Sequence, residues 1–172
     1  MTRILYLRPR NITNPLHPAV CSPLLGEVAK IAQLDDILHD PSMTEDELAD
    51  LIRQYDVILT MWQTPRLPDS LATNPGRLRY ICNVTGEMKT FVSQALIDSP
   101  YLTVTNWGDS TAPRVAEGAM TLLLSMLKSL NGQYDSQKAG GQGKPDGLYP
   151  GSLWRLPVGI YGMGPLAGRL YR

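Results

Sequence analysis

Three short apolar segments, separated by stretches with helical spacing, constrain the fold of this chain more than any other feature of its sequence. They are rich in β-branched residues and lie at residues 56–62, 78–84 and 101–105. Such runs are too short for helices and are typical of buried strands. Because strands that alternate with helices form βαβ units, the sequence predicts one doubly wound α/β domain, built on a parallel sheet, over residues 1–106.

The segments around these strands carry the remaining local signals. An apolar run at residues 4–7 predicts an opening strand, and residues 24–34 have apolar side chains at helical spacing. Thr44 and Glu47 form a capping-box signature, which predicts a helix that ends near Tyr55. Short helices are expected at residues 68–73 and 87–96.

The most apolar helix is predicted at residues 112–130, where leucines and methionines surround nearly the whole cylinder. A helix that is apolar on all sides must be covered on all sides, so we expect it between two domains or at a subunit interface. Residues 131–154 contain six glycines and two prolines and predict a long surface loop or arm. A short strand is expected at residues 156–161.

A glycine-rich turn follows that last expected strand. Gly162, Gly164 and Ala167 match the small-residue spacing of the dinucleotide-binding fingerprint in its Gly/Ala variant. The first glycine permits a tight turn, and the second allows the backbone to approach a pyrophosphate. The third small residue lets the helix pack closely on the strand, while the helix N-terminus offers N–H groups to the anion.

Composition narrows the classes of function. The chain has 172 residues with 16 basic and 16 acidic side chains, and it contains no basic run, so nucleic-acid binding is not expected. No apolar stretch is long enough to span a membrane, and the N-terminus lacks the apolar run of a signal peptide, which predicts a cytoplasmic protein. Two cysteines and two histidines without metal-ligand spacing predict no metal site.

The apolar strands and the glycine turn occur together with further motifs in a characteristic order. In that order and spacing, the chain resembles the D-isomer-specific 2-hydroxyacid dehydrogenases, a family that includes phosphoglycerate dehydrogenase-like and hydroxypyruvate reductase-like enzymes. The residues that carry the resemblance are Asp56–Thr60, Leu78–Ile81, Val84–Gly86, Val104–Asn106, Val115–Glu117, Leu153, Val158–Ile160, Gly162 and Gly164.

The resemblance implies a two-domain architecture. It places a substrate-binding α/β domain, flavodoxin-like or Rossmann-like, at residues 1–106 and an interdomain and dimer helix at residues 107–131. A loop or arm follows at residues 132–156, and the start of an NAD(P)-binding Rossmann domain at residues 157–172. A homodimer is expected.

The resemblance also implies the site residues. The substrate is a small 2-oxo or 2-hydroxy acid whose carboxylate meets backbone N–H groups of the loop Val84, Thr85 and Gly86, with Thr111 facing the same cleft. NAD or NADP is expected on the turn formed by Gly162, Met163, Gly164, Pro165, Leu166 and Ala167. The catalytic Arg, Glu and His of the family are expected after residue 172, so the 172 residues alone are expected to be inactive.

Two alternatives remain open at this level. One is a non-catalytic α/β module that acts by dimerisation or by binding a small carboxylate. The other is a flavodoxin-like domain that binds a flavin phosphate after its first strand. The second is disfavoured because residues 8–15 are rich in Pro and Asn, whereas phosphate-binding loops are rich in Ser, Thr and Gly.

Overall fold

A computed structural model of the chain describes residues 1–9, 23–141 and 151–171. The contacts within the chain divide it into two compact units, residues 1–108 and residues 109–172.

The first unit is built on a five-stranded parallel sheet. The strand order reverses at β1, as in doubly wound sheets, and the predicted α/β fold class is therefore confirmed. In the register, Val57 pairs with Ile4 on one side and with Tyr80 on the other. The strands run in the order β2-β1-β3-β4-β5, with β1 at Arg3–Arg8, β2 at Gln33–Leu38, β3 at Val57–Thr60, β4 at Tyr80–Asn83 and β5 at Thr103–Thr105.

Short helices connect these strands: α1 (Pro23–Ile31), α2 (Glu45–Ile52) and α3 (Gln94–Ile97), with a 3-10 turn at Asp69–Ala72. The predicted capping box is present at the start of α2. The N–H of Glu47 donates to Thr44 Oγ1 (3.2 Å), and the N–H of Thr44 donates to Glu47 Oε2 (2.8 Å). These bonds satisfy two N–H groups that have no partner inside the helix.

Both faces of the sheet are covered by apolar packing. Successive side chains of β1 point to opposite faces, because the side-chain period of a strand is two residues. Leu5 and Leu7 join a large core formed with α2, α3 and the 3-10 turn. Ile4 and Tyr6 join a smaller core, against which α1 packs through Leu25 and Val28.

The helix predicted at residues 24–34 ends at Ile31, and residues 33–38 form β2, a strand missing from the sequence-based prediction. The apolar alternation of β2 is interrupted by Asp35 and Asp36, which hid its strand character. Long-range contacts hold it instead. Every residue of β2 pairs with β1, the hydroxyl of Tyr55 donates to Asp35 Oδ2 (2.8 Å), and Arg8 forms an ion pair with Asp36.

The helix predicted at residues 87–96 is also wrong over most of its length, since only residues 94–97 are α-helical. The N–H groups of Phe91 and Val92 both donate to the carbonyl of Met88, closing a single turn. The carbonyl of Phe91 then accepts the N–H of Leu67 (2.8 Å) from another segment. In a continuing helix the carbonyl of Phe91 would accept an N–H four residues later, but here it is bonded to Leu67. A new helix begins after Ser93, whose side chain caps it.

The second unit contains three helices among its described residues: α4 (Ala112–Leu127), α5 (Leu130–Lys138) and α6 (Pro165–Tyr171). The apolar helix predicted at residues 112–130 therefore ends earlier, before Ser129, which has a left-handed backbone (φ +51°). The loop predicted at residues 131–154 is wrong over its first part, because Leu130–Lys138 form helix α5. It is a polar helix with no buried side chain, so no apolar pattern marks it. Residues 142–150 of that predicted loop lie outside the described residues.

The strand predicted at residues 156–161 is wrong for the part of the chain that the structure describes. A strand requires a ladder partner, and none of the described strands pairs with this segment. Its residues border a largely apolar groove of about 580 Å³ within the second unit. Helix α4 forms another wall of the groove through Ala119, Met120 and Leu123.

Candidate functional site

The carboxyl ends of β3, β4 and β5 meet at one edge of the sheet, where doubly wound folds bind their ligands. The segment that follows each of these strands contributes to the candidate site. After β3 comes a tight turn with an exposed tryptophan, after β4 the predicted loop 84–86, and after β5 a second tryptophan. These three segments contact one another through the bonds described below.

The loop Val84, Thr85 and Gly86, which we call the amide loop, offers two N–H groups of the three expected. The N–H of Val84 donates to the carbonyl of Thr60 (2.9 Å) and thereby extends the sheet pairing. Among the described residues, the N–H groups of Thr85 and Gly86 have no acceptor. Backbone donors are nearly always paired, so these two are available to an external acceptor, water or an anion.

Asn83, the last residue of β4, fixes the shape of the amide loop. Its side chain is almost completely buried (1 % exposed). Its Nδ2 donates to the carbonyl of Thr85 (2.9 Å) and to that of Glu87 (3.4 Å). Its Oδ1 accepts the hydroxyls of Thr85 (3.0 Å) and Thr60 (3.5 Å). The carbonyls of Thr85, in the loop, and of Glu87, just after it, are thus bound to one buried amide, which fixes the course of the backbone around the loop.

Gly86 is required by the packing of the indole of Trp107. A Cβ at position 86 would lie 2.4 Å from Trp107 Nε1, closer than any real side-chain contact. Two further bonds tie the segment after β5 to the loop. Asn106 Nδ2 donates to the carbonyl of Gly86 (2.7 Å), and the N–H of Trp107 donates to the carbonyl of Thr85 (3.3 Å). Glycine is therefore required at position 86 by the packing of Trp107, in addition to its predicted role in binding.

The turn after β3 presents Trp62 beside this loop. The N–H of Thr64 donates to the carbonyl of Met61 (3.1 Å), and the N–H of Met61 donates to Thr64 Oγ1 (2.9 Å). Gln63 has a left-handed backbone (φ +66°), which is unfavourable for a non-glycine residue. The rings of Trp62 and Trp107 pack edge to face, with centroids 5.4 Å apart and planes at 84°.

Tyr6 supports the same turn from β1. Its hydroxyl lies 3.2 Å from the sulfur of Met61, in the smaller core. Burial raises the pKa of Tyr6, and the carboxylate of Asp36 raises it further, while Arg8 acts in the opposite direction. The phenol is therefore neutral at physiological pH and serves in packing.

Thr111 belongs to the second unit and precedes α4. Its carbonyl accepts the N–H of Val115 (3.1 Å), but its hydroxyl caps no helical N–H group. The side chain is half-buried. The hydroxyl of Thr111 therefore forms no capping hydrogen bond with α4, the helix that follows it.

The predicted dinucleotide turn has the backbone that its glycines suggest. Gly162 lies at φ +95°, a region that side chains disfavour, and Pro165 opens α6. A Cβ at Gly164 would meet no atom within 4 Å, whereas Ala167 is buried. The side chains of Met163 and Leu166 are exposed. The small residue at position 162 is therefore explained by backbone conformation, and that at position 167 by packing. At Gly164 the space that a side chain would fill is open.

Asn83, Trp62 and Trp107 were not predicted as site residues from the sequence. One local signal marked Asn83, because an amide that closes the apolar run Ile81–Cys82 must find buried partners. The tryptophans carry no comparable signal, since their pairing depends on contacts between segments 45 residues apart. Within the described ranges, no group of His, Cys, Asp or Glu side chains has a geometry that could hold a metal ion. No helix there is long and apolar enough to cross a membrane.

The sequence matches no family model and no curated protein. Solved structures match nearly all of it. For D-lactate dehydrogenase from Aquifex aeolicus, complexed with NAD and lactic acid, the TM-score is 0.65 at 18 % identity, covering 97 % of this chain and 46 % of that chain. For 2-hydroxyacid dehydrogenase from Ketogulonicigenium vulgare Y25, the TM-score is 0.63 at 18 % identity, covering 99 % and 51 %.

A third similar structure is an acyclic imino acid reductase in complex with NADPH and D-Arg, with a TM-score of 0.59 at 17 % identity, covering 98 % of this chain and 51 % of that chain. This chain spans about half the length of the solved structures that it matches. At these identities the likeness establishes the fold. The α/β fold class expected from the sequence resemblance is thus confirmed.

Proposed function

We propose that the chain contains the substrate-binding domain and the first turn of the nicotinamide-binding domain of an NAD(P)-dependent oxidoreductase. Its substrate is a small 2-oxo or 2-hydroxy acid, and residues 1–106 and 157–172 are the two domain segments. The observation that carries the proposal is the amide loop, with two free N–H groups at the carboxyl edge of a sheet whose fold is that of 2-hydroxyacid dehydrogenases.

The amide loop suits a carboxylate for electrostatic reasons. Two adjacent backbone N–H groups form a small concavity that favours an anion, and each hydrogen bond to a charged acceptor is stronger than one to a neutral acceptor. The carbonyl of Thr85 and the N–H of Gly86 belong to one trans peptide unit and point in opposite directions, so the bond from Asn83 to this carbonyl directs the Gly86 N–H away from Asn83. The loop therefore presents donors without having to rearrange.

Two observations support a dinucleotide as the ligand of the glycine turn. Gly162 already has its left-handed backbone, and the space above Gly164 is free for a pyrophosphate to approach. Residues 162–167 would hold the phosphates, with Ala167 packing beneath them. When bound, nicotinamide supplies or accepts the hydride at C2 of the acid. Bound NAD in the lactate dehydrogenase and NADPH in the imino acid reductase support a nicotinamide cofactor without choosing between the two.

The proposal is tested by NMR titration of the ¹⁵N-labelled chain with pyruvate. We expect saturable shifts of the N–H resonances of Thr85 and Gly86 and a smaller effect at Val84, whose N–H is already bonded. Acetone, which has the ketone and methyl groups but no carboxylate, is the matched control and should shift none of them. Absence of a saturable response at these two amides would remove the carboxylate site.

A parallel titration with NADH distinguishes the enzyme from the alternative function. Shifts at residues 162–167 together with shifts at the amide loop favour the oxidoreductase. Such a response to NADH would contradict the non-catalytic carboxylate-binding module, which binds no nucleotide.

A further inference from the structure

The two tryptophans beside the amide loop have no role in the proposed function so far. Trp62 is 53 % exposed although it is large and apolar, and Trp107 is half-buried. The indole of Trp107 lies directly over Gly86, and the ring of Trp62 packs against it edge to face. The pair therefore forms an aromatic surface that begins at the amide loop and extends away from it.

The turn that presents Trp62 is maintained against a conformational cost. A left-handed backbone at a glutamine is unfavourable, and glycine or asparagine is the usual residue at such a turn position. The buried side chain of Thr64 stabilises the turn through its bond to the N–H of Met61. A strained turn that holds a large aromatic ring in solvent is a feature more typical of recognition sites than of packing.

Trp107 also contributes a polar group. Its Nε1–H has no acceptor among the described residues, and no side-chain nitrogen or oxygen in them is both fully buried and unbonded, so this N–H reaches solvent. It lies within contact distance of the Cβ position of Gly86, next to the free N–H of the same residue. The amide loop and the indole packed on it thus carry three donors without an acceptor among the described residues, from Thr85, Gly86 and Trp107.

We propose that Trp62 and Trp107 determine substrate specificity at the amide loop. The indole N–H of Trp107 is a third donor to the carboxylate, and the exposed ring of Trp62 packs against the carbon chain of the acid. The favoured ligands are 2-oxo or 2-hydroxy acids with a branched aliphatic or aromatic side chain, over pyruvate and glyoxylate. This inference rests on the proposed function, because it assigns the carboxylate to the amide loop.

The size of the preference follows from apolar burial. 4-Methyl-2-oxopentanoate carries three more carbon atoms than pyruvate, and each fully buried methylene strengthens binding roughly fourfold. Because one side of the Trp62 ring remains open to solvent, we expect partial burial and a preference of about tenfold for the longer acid.

The experiment observes the indole ¹⁵N–¹H resonances of the chain, one for each of its three tryptophans. Single Trp→Phe variants assign them, and Trp154, which lies in the second unit, serves as the internal control. On titration with 4-methyl-2-oxopentanoate, the Trp107 resonance should move downfield as its N–H gains an anionic acceptor. The Trp62 resonance should shift through ring contact, and that of Trp154 should stay unchanged.

Two variants separate the two roles. Trp62→Leu should weaken binding of 4-methyl-2-oxopentanoate about tenfold and leave the affinity for pyruvate nearly unchanged, since only the longer acid reaches that ring. Trp107→Phe keeps a ring but removes the donor, so it should weaken both acids by about tenfold. Preserved dispersion of the other amide resonances verifies that each variant is folded.

The outcomes distinguish this inference from the proposed function. If both acids shift the amides of Thr85 and Gly86 equally and the indoles of Trp62 and Trp107 do not respond, the carboxylate site stands and the role of the tryptophans is refuted. If no acid shifts the amide loop, both fail. If the neutral ketone 4-methyl-2-pentanone binds as tightly as the acid, the tryptophans form an apolar surface unrelated to acid recognition, and the inference is overturned.

Discussion

The side-chain amide of Asn83 lies 2.9 Å from the carbonyl oxygen of Thr85, two residues further along the chain. The bond is formed inside the protein, where an unsatisfied carbonyl is costly, and the same amide also reaches the carbonyl of Glu87. One buried residue thus holds the carbonyl of Thr85 inside the protein, and the N–H of Gly86, at the other end of the same trans peptide unit, points away from it.

Replacing Asn83 by Asp should therefore affect both stability and binding. The carboxylate keeps the size of the amide but loses both donors and places a negative charge against two carbonyl oxygens. We expect a loss of about 2 kcal/mol or more in the free energy of unfolding, measured by urea denaturation, and weaker binding of pyruvate. The matched control is Asn74→Asp at an exposed position, which should change neither quantity measurably. Equal effects at the two positions would show that Asn83 does not hold the loop.

Gly164→Val tests the dinucleotide turn. Because a Cβ at position 164 meets no atom within 4 Å, the valine should not disturb the chain itself. It would occupy the space assigned to the pyrophosphate, so NADH binding, followed by calorimetry, should fall at least tenfold. Gly168→Val is the control, since its Cβ also points into open space but lies outside the fingerprint. Unchanged NADH affinity in Gly164→Val would exclude the turn as the cofactor site.

Helix α4 carries an exposed apolar face that should mediate self-association. Leu122 and Met126, one turn apart, are 68 % and 80 % exposed. Two other leucines of this helix are engaged within the second unit, since Leu123 lines its groove and the carbonyl of Leu127 accepts the N–H of Gly151 (2.6 Å). Leu122 and Met126 are therefore the better test of this face.

The Leu122→Lys and Met126→Lys double variant should be monomeric at concentrations where the unmodified chain forms dimers or larger species, as measured by light scattering over a concentration series. Thr121→Lys introduces one lysine on an adjacent side of the helix and should leave association intact, which makes it the control for each single substitution, Leu122→Lys and Met126→Lys. If the unmodified chain is a monomer at every concentration, the predicted dimer helix is refuted for this chain.

Asp56 should make stability depend on pH. Its Oδ2 accepts the N–H of Arg3 (2.8 Å), and both its oxygens accept Arg77 Nη2 (3.0 and 3.1 Å). These bonds, that of the Arg3 N–H first, lower the pKa of the carboxyl group. Since a lowered folded-state pKa stabilises the fold only while the group is ionised, this contribution is present above about pH 4 and is lost as the pH falls through the folded-state pKa.

The urea midpoint measured from pH 7 to pH 2 should therefore fall less steeply in Asp56→Asn than in the unmodified chain, with a lower starting value at pH 7. Glu27→Gln is the control, because its ion pair with Lys30 is highly exposed and such pairs contribute little. A variant curve parallel to the unmodified one would show that Asp56 does not link stability to pH.

Elements with strong local signals could be predicted from the sequence. Helix α2 begins at its capping box, and β3 lies within the apolar run predicted for it. Strand β2 could not be found this way, because Asp35 and Asp36 owe their place in a strand to β1, Tyr55 and Arg8. Helix α5 was missed for a related reason, since most of its residues are polar, none is buried, and the apolar pattern of residues 112–130 does not continue through it.

The candidate site could be predicted from the sequence to the same extent as the fold. The amide loop and the glycine turn are contiguous in sequence, so the resemblance could locate them. The hydrogen bond that removes the N–H of Val84 from the candidate donors comes from Thr60, 24 residues earlier. The tryptophan pair is likewise formed only when the ends of β3 and β5 come together. These features require the register of the sheet, which no single segment specifies.

Strand β2 closes one side of the described sheet, and an open strand edge is a template on which another molecule can add a strand. Asp35 and Asp36 are consecutive, so their carboxylates project from opposite faces of this edge. A second copy of β2 aligned along it would bring like charges together on both faces, without a compensating row of cations in its sequence. The same aspartates that disguise this strand in the sequence therefore disfavour the addition of a second β2 along this edge.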